Sequence, residues 1–194
     1  MIPPYLLRCA IASLLLAYTP SGKASDAVNW AEGRPYSISV GSYFTAEGFG
    51  TTLDKDLADP EDPSAGRKML LTHGKPSQSS TPVIYSFWSA PEQDSFINIE
   101  LDLDTPRPIS EVVVFGVNHT PIYHARSIVV RASEDGLIYE EIGHLEPVEQ
   151  PETGAWKAVV TLPKSQLRYV QVAVFAREKA HLGIAGIQLN GPAQ

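Results

Sequence analysis

Residues 109–142, ISEVVVFGVNHTPIYHARSIVVRASEDGLIYEEI, contain three predicted β-strands and decide the fold. The first is a run of β-branched residues, and the second, residues 127–132, alternates between two faces. The turn at residues 133–136, SEDG, suits a tight hairpin because Asp and Gly tolerate a positive φ, so residues 137–142 are predicted to return as the partner strand. Loop 119–125, between the first two strands, carries two histidines, a proline and a tyrosine. We therefore predict a strand, a loop of functional residue types and a hairpin.

The rest of the chain adds short predicted strands and no long amphipathic helix. In residues 96–104 apolar and polar residues alternate strictly. Because successive side chains of a strand point to opposite faces, one set is predicted to face the core: Ile97, Ile99, Leu101 and Leu103. The alternation recurs at residues 156–162 and 167–175, and a last strand is predicted at residues 184–189. Short strands separated by Gly and Pro turns predict an all-β sandwich or jelly roll with antiparallel sheets.

The N-terminus has the features of a secretory signal. Arg8 precedes an apolar run that is too short to span a bilayer, and a small-x-Ala sequence ends at Ala24. We predict a signal peptide over residues 1–24 and a single domain over residues 25–194, secreted or periplasmic, with no membrane span after cleavage. An uncleaved membrane anchor is the alternative. The only cysteine, Cys9, lies within the signal, so the mature chain is predicted to have no disulfide and no cysteine metal site.

The charge of the chain limits its partners. It has 15 basic and 22 acidic residues and a net charge of −7. Nucleic acids and anionic membranes both select a positive surface. Neither is therefore predicted as a partner.

Several short motifs resemble one family in their order along the chain. They are NWAEGRPY at residues 29–36, LTHG at 71–74, Trp88, the strand at 97–103, SEDG at 133–136, WKAV at 156–159 and RYV at 168–170. In this order they resemble the discoidin, or coagulation factor V/VIII C-type, domain. Within that galactose-binding-like superfamily the nearest likeness is to the carbohydrate-binding modules of family 32. The resemblance covers residues 28–190 and implies a galactose-binding-like jelly roll that binds sugars, sometimes lipid headgroups or protein, through loops at one end.

The resemblance also implies a structural calcium, but the sequence departs from the family pattern twice. His73 replaces the aspartate of the family's Leu-Thr-Asp-Gly turn, and residues 181–187 lack the acidic residue usual near the start of the closing strand. Because calcium prefers several hard oxygen ligands, the loss of two carboxylates is predicted to weaken or abolish the site. Backbone carbonyls near Leu70 could still hold an ion, so calcium binding stays an open expectation.

Candidate sugar-binding residues follow from two requirements. An aromatic ring stacks on the apolar face of a pyranose, and fixed polar groups read its hydroxyls. Loop 118–126 meets both and corresponds to one of the family's binding loops, which gives four candidates: His119, Tyr123, His124 and Arg126. Two further candidates are Trp88 and, in the C-terminal loop, His181. The alternatives are structural, with Tyr123 capping the core, Trp88 at the core edge and His181 in rim packing.

The sequence offers little support for catalysis. Its histidines are scattered, and only His119 and His124 lie close together, without the third ligand that zinc needs. It contains neither a Gly-x-Ser-x-Gly elbow nor a phosphate-binding glycine loop. We therefore predict a non-enzymatic, lectin-like module that binds a glycan. The alternative is a protein–protein interaction domain of an envelope or extracellular assembly.

Overall fold

The computed structural model describes residues 27–41, 71–72, 84–86, 96–118, 120–121, 123–178 and 180–193. These ranges contain eight strands and no helix: β1 (Ala27–Asn29), β2 (Tyr36–Gly41), β3 (Ile84–Ser86), β4 (Phe96–Asn118), β5 (Ala125–Ser133), β6 (Glu140–Leu145), β7 (Gly154–Ala176) and β8 (Leu182–Pro192). All paired strands run antiparallel. No helix in these ranges has the length and apolarity needed to cross a membrane. The predicted signal peptide, residues 1–24 with Cys9, lies outside the described residues.

Strands β4 and β7, each 23 residues long, build both layers of the fold. The N-terminal part of β4 pairs with β2 and with the C-terminal part of β7, giving a first sheet of order β2-β4-β7-β5-β6. The C-terminal part of β4 pairs with β8 and with the N-terminal part of β7, and β1 and β3 add to the other edge of β8. The β4–β7 register shifts between Asp102 and Arg107 and again between Ile109 and Glu111. Such irregularities bend a strand, so here both long strands pass from one sheet into the other.

The core lies between the two sheets. The largest fully buried side chains come from both of them, including Ile97 and Ile99 of β4 and Ile184 and Leu189 of β8. At Gly143 of β6 an added Cβ would lie 2.4 Å from Leu162 Cδ2 of β7, so a larger residue would fit there only if the Leu162 side chain moved. The sequence prediction of an all-β, antiparallel jelly-roll sandwich is confirmed.

The predicted facing of residues 96–104 is also confirmed. Its apolar set is buried throughout, whereas Glu100 and Asp102 are half-buried and Asp104 is exposed. Asn98 is the exception, because it is buried on the outer face, where its Nδ2 donates hydrogen bonds to Ser39 Oγ and Glu100 Oε1.

Strands that are consecutive in the chain are not always neighbours in the sheet. β4 and β5 follow each other in the chain but lie on opposite sides of β7. The segments at residues 156–162 and 167–175, predicted as separate strands, form the single strand β7. Since Asn118 ends β4 in the second sheet and Ala125 begins β5 in the first, the connection between them crosses one end of the sandwich.

The turn after β5 is wider than the predicted tight hairpin. Asp135 Oδ1 accepts hydrogen bonds from the backbone N–H groups of Leu137 (2.8 Å) and Ile138 (3.1 Å), and these bonds hold the chain in a bend. β6 therefore begins at Glu140 rather than at Leu137, so the predicted boundary is wrong by three residues. Leu137 and Ile138 are left 83% and 73% exposed.

Candidate functional site

Two loops are joined by backbone contacts at the end of the sandwich where β4 leads to β5. Tyr123 and His181 form a short parallel bridge, and the N–H of His124 donates to the carbonyl of His181 at 3.0 Å. The carbonyl of His124 accepts from the N–H of Arg177 at 2.9 Å. These bonds fix the loop before β5 against the loop before β8.

The bridge brings two of the predicted site residues together. The rings of Tyr123 and His181 lie 5.3 Å apart between centroids and are tilted by 56°, a favourable offset geometry for aromatic rings. Both side chains are half-buried. Desolvation by burial lowers the pKa of His181, so its imidazole is neutral at pH 7. The pair therefore presents an apolar surface with polar edges.

His124, the third predicted residue at this junction, has an unsatisfied polar atom. Its Nδ1 is buried and has no hydrogen-bond partner among the described residues. A buried polar atom without a partner costs about 1–3 kcal/mol. A ligand hydroxyl or a water that reached this atom would remove the cost.

Arg126 lies in a neighbouring cluster. Its guanidinium carbon is 6.0 Å from the ring centroid of Phe175, and its Nε is 4.0 Å from Glu146 Oε1. Phe175 in turn packs against Phe96, with ring centroids 5.5 Å apart. The structure thus groups Tyr123, His124 and His181, and places Arg126 beside them on an aromatic and acidic surface.

A buried hydrogen-bond network, which the sequence analysis missed, holds the two ends of this connection. Asn118 accepts from Trp156 Nε1 at 3.0 Å and donates to Gln150 Oε1 at 3.2 Å and to the Pro151 carbonyl at 2.7 Å. Gln150 also bonds both backbone groups of Ala125, accepting from its N–H at 3.2 Å and donating to its carbonyl at 2.6 Å. Each end of the β4–β5 connection is therefore tied to the same glutamine.

The same network shows that the Asn118 side chain has a structural role. Asn118 begins the candidate sugar-binding loop 118–126, and Asn118-His119-Thr120 also matches an N-glycosylation sequon. Asn118 is only 2% exposed, and its amide donates two hydrogen bonds inside the fold. In this fold the side chain is a structural group and is not accessible to a glycosylating enzyme.

Four residues named in the sugar-site and calcium predictions lie outside the described residues: Leu70, His73, Trp88 and His119. Their roles stay predictions. Within the described ranges, no group of three His, Cys, Asp or Glu side chains is arranged to hold a metal ion.

Part of the expected calcium turn is described, and its oxygen atoms are engaged in the fold. The Leu71 carbonyl accepts from the Ile187 N–H at 2.9 Å, and the Thr72 carbonyl accepts from the Gly33 N–H at 2.9 Å. The Thr72 hydroxyl donates to the Arg34 carbonyl at 2.8 Å. These oxygen atoms already take part in hydrogen bonds of the fold, whereas calcium needs several hard oxygen ligands, so calcium binding at this turn stays a prediction.

The fold is similar to those of several solved structures. CpGH89CBM32-5 from Clostridium perfringens, in complex with GalNAc-β-1,3-galactose, has 12% identity and a TM-score of 0.49 over 79% of this chain and 94% of its own. The C-terminal domain of a chitobiase from Bacteroides fragilis has 19% identity and a TM-score of 0.48, covering 82% and 96%. The lectin domain of lectinolysin, complexed with Lewis B antigen, has 12% identity and a TM-score of 0.49, covering 86% and 98%. No protein-family model and no curated protein matches the chain. What this chain binds therefore has to follow from its own residues.

Proposed function

We propose that the protein is a secreted, non-catalytic carbohydrate-binding module that binds a glycan at Tyr123, His124 and His181. The observation that carries the proposal is the Tyr123–His181 pair, in which two loops distant in sequence place aromatic rings 5.3 Å apart at one end of the sandwich. Aromatic rings beside fixed polar atoms are what pyranose recognition requires.

The polar part of the proposed site is supported by the state of its two histidines. The neutral His181 imidazole has one donor and one acceptor nitrogen, so it suits uncharged hydroxyls. His124 adds a buried Nδ1 that lacks a partner among the described residues, and a sugar hydroxyl would satisfy this atom if the loop opened around it. We assign Arg126, beside Glu146, to the rim of the same site, where it would contact a longer glycan.

The proposed compartment and the lack of catalysis rest on the sequence. The N-terminal segment has the pattern of a secretory signal, and the sequence carries none of the nucleophile or phosphate-loop motifs considered above. A binding module would act as a lectin, a tether or an accessory to a separate enzyme.

Tyr123→Ala is expected to weaken glycan binding about tenfold or more, because it removes the ring on which the sugar would stack. The test is a glycan-array screen of the wild-type protein, followed by titration of the best ligand into both proteins. Phe115→Ala is the matched control, since Phe115 is a partly exposed aromatic residue of β4 that contacts Lys157. Equal losses in both variants would show that binding does not depend on the Tyr123 site.

Protein–protein interaction is a second candidate, favoured by a different observation. Leu137 and Ile138 are neighbouring apolar residues on the turn after β5, and they are 83% and 73% exposed. Adjacent exposed apolar side chains are typical of an interaction surface. If the folded protein bound no glycan on the array, that result would favour protein–protein interaction over sugar binding.

Calcium is expected to have little effect on stability. The family aspartate is replaced by His73, and the described carbonyls of the turn are engaged in hydrogen bonds. If the dissociation constant is 1 mM or weaker, 1 mM calcium stabilises the fold by less than about 0.5 kcal/mol. Thermal melts in 1 mM calcium and in EDTA should therefore nearly coincide, and a rise of several degrees with calcium would show that a working site survives.

A further inference from the structure

A groove of about 470 Å³ lies on the outer face of the five-stranded sheet, and its lining includes Ser37, Glu100, Asp102, Asp135, Tyr139 and Tyr169. We call it the tyrosine groove. It lies at the opposite end of the sandwich from Tyr123, because the turn after β5 forms one wall. Glu100 pairs with Gln171 across β4 and β7, and Asp102 pairs with Tyr169, so these side chains project from neighbouring rungs of one sheet face.

The charged residues that line the tyrosine groove are all acidic, Glu100, Asp102 and Asp135, and the nearest basic group is Arg168, which lies 4.6 Å from the Tyr169 ring centroid. Asp102 is paired with Arg168 through two bonds of 3.0 and 3.1 Å. Glu100, in contrast, accepts only from the amides of Gln171 (2.9 Å) and Asn98 (3.2 Å), and no cation among the described residues contacts it. A half-buried carboxylate that is held by neutral donors and has no ion-pair partner favours a cationic ligand.

Tyr139 shows the effect of this charge. Its pKa is raised, first by desolvation and then by the negative charges of nearby groups, of which Glu100 contributes most. Its half-buried ring borders the groove beside Glu100. An aromatic face next to a carboxylate is a favourable site for an organic ammonium group.

Two other classes of cationic ligand fit less well. A metal ion needs several ligating side chains directed at one point, and no such group of three occurs in the described part of the chain. A basic peptide binding as an added strand needs a free sheet edge. The carboxylates of the groove, Glu100 and Asp102, instead lie on the face of β4, which is paired on both sides by β2 and β7.

We propose that the tyrosine groove is a second binding site, for a sugar that carries a free, protonated amine. The ammonium group would lie between the Glu100 carboxylate and the Tyr139 ring, and the hydroxyls would meet the polar atoms of Ser37 and Asp135. This site is separate from the Tyr123 site and does not depend on it.

The test compares a glucosamine trimer with free, protonated amines with its fully N-acetylated form, in which each amine is replaced by a larger, uncharged acetamido group. Each is titrated by calorimetry into the full-length protein at low salt. The free-amine trimer is expected to bind at least about tenfold more tightly, and Glu100→Gln is expected to remove that difference. The substitution keeps the oxygen that accepts from Gln171 and Asn98, so the fold should persist. A melting curve checks this.

Glu141→Gln is the matched control, because Glu141 is an exposed carboxylate of β6 that contacts His144 and does not line the groove. It should leave the preference unchanged, and so should Tyr123→Ala. Equal binding of the two trimers would overturn the proposal. Loss of binding with Tyr123→Ala but not with Glu100→Gln would also overturn it, by assigning the amine sugar to the loop site. Tighter binding of trilysine than of the glucosamine trimer would also overturn it, because the ligand of the groove would then be a basic peptide and not an amino sugar.

Discussion

Val130→Asp is expected to unfold the protein at room temperature. Val130 lies in β5, the strand between β7 and β6 in the first sheet, and its side chain is 0% exposed. A carboxylate buried there without a partner costs several kcal/mol, roughly the whole stability of a domain of this size. Circular dichroism should show the loss of the strand signal, or a melting temperature lowered by tens of degrees.

Val159→Asp provides the matched control, since it is the same substitution on a strand of the same sandwich. Val159 is 38% exposed on β7, next to the buried Val160, so the new carboxylate can reach water. We expect a change within about 1 kcal/mol. If Val130→Asp melted like Val159→Asp, the assignment of the core face of β5 would be wrong.

The fold class was predictable because the local pattern of residues 96–104 reports burial directly. Its period of two places Ile99 and Leu101 in the core and Glu100 on the outer face, as the structure has them. Pairing between distant strands has no such local signal. Neither sequence distance nor alternation shows that β7 lies between β4 and β5, or that β7 continues through residues 163–166.

The candidate site was predictable as a set of residue types but not as an arrangement. Tyr123 and His181 are recognisable as ring-bearing loop residues, yet their bridge depends on how β5 and β8 are placed in three dimensions. No pattern in the sequence indicates a role for Gln150. It lies in a non-periodic Pro- and Glu-rich connection, and its role arises only because Asn118 and Ala125 come within hydrogen-bond distance of it. The roles of Trp88 and His119 stay predictions.

Asn118→Asp is expected to destabilise the protein by about 3–5 kcal/mol at pH 7, because it places a charge in a buried site without a cation. The Nδ2 atom lies 2.7 Å from the Pro151 carbonyl and 3.2 Å from Gln150 Oε1. The substitution turns this donor into an acceptor that faces two other acceptors. The hydrogen bond from Trp156 Nε1 to Oδ1 of residue 118 can persist. The loss of stability therefore measures the loss of the hydrogen bonds that the Asn118 amide donates.

The pH dependence of the stability of Asn118→Asp distinguishes the effect of the new negative charge from the effect of the changed side-chain shape. Burial against two oxygen atoms raises the pKa of the new carboxyl above its unfolded value of about 4. The unfolded state then releases its proton first as the pH rises, so stability is lost with increasing pH, and the loss is complete above the raised pKa. The melting temperature of Asn118→Asp should therefore approach that of the wild type as the pH falls to about 4, where the protonated carboxyl can donate to Pro151.

Asn190→Asp, the same substitution at a half-buried position of β8, should change stability by less than about 1 kcal/mol at either pH. Glycan binding to Asn118→Asp should fall together with its stability at pH 7, because Asn118 and Gln150 hold the loop that carries Tyr123 and His124. If the variant were as stable as the wild type at pH 7 but had lost glycan binding, Asn118 would contact the ligand directly. It would then not act by holding the loop.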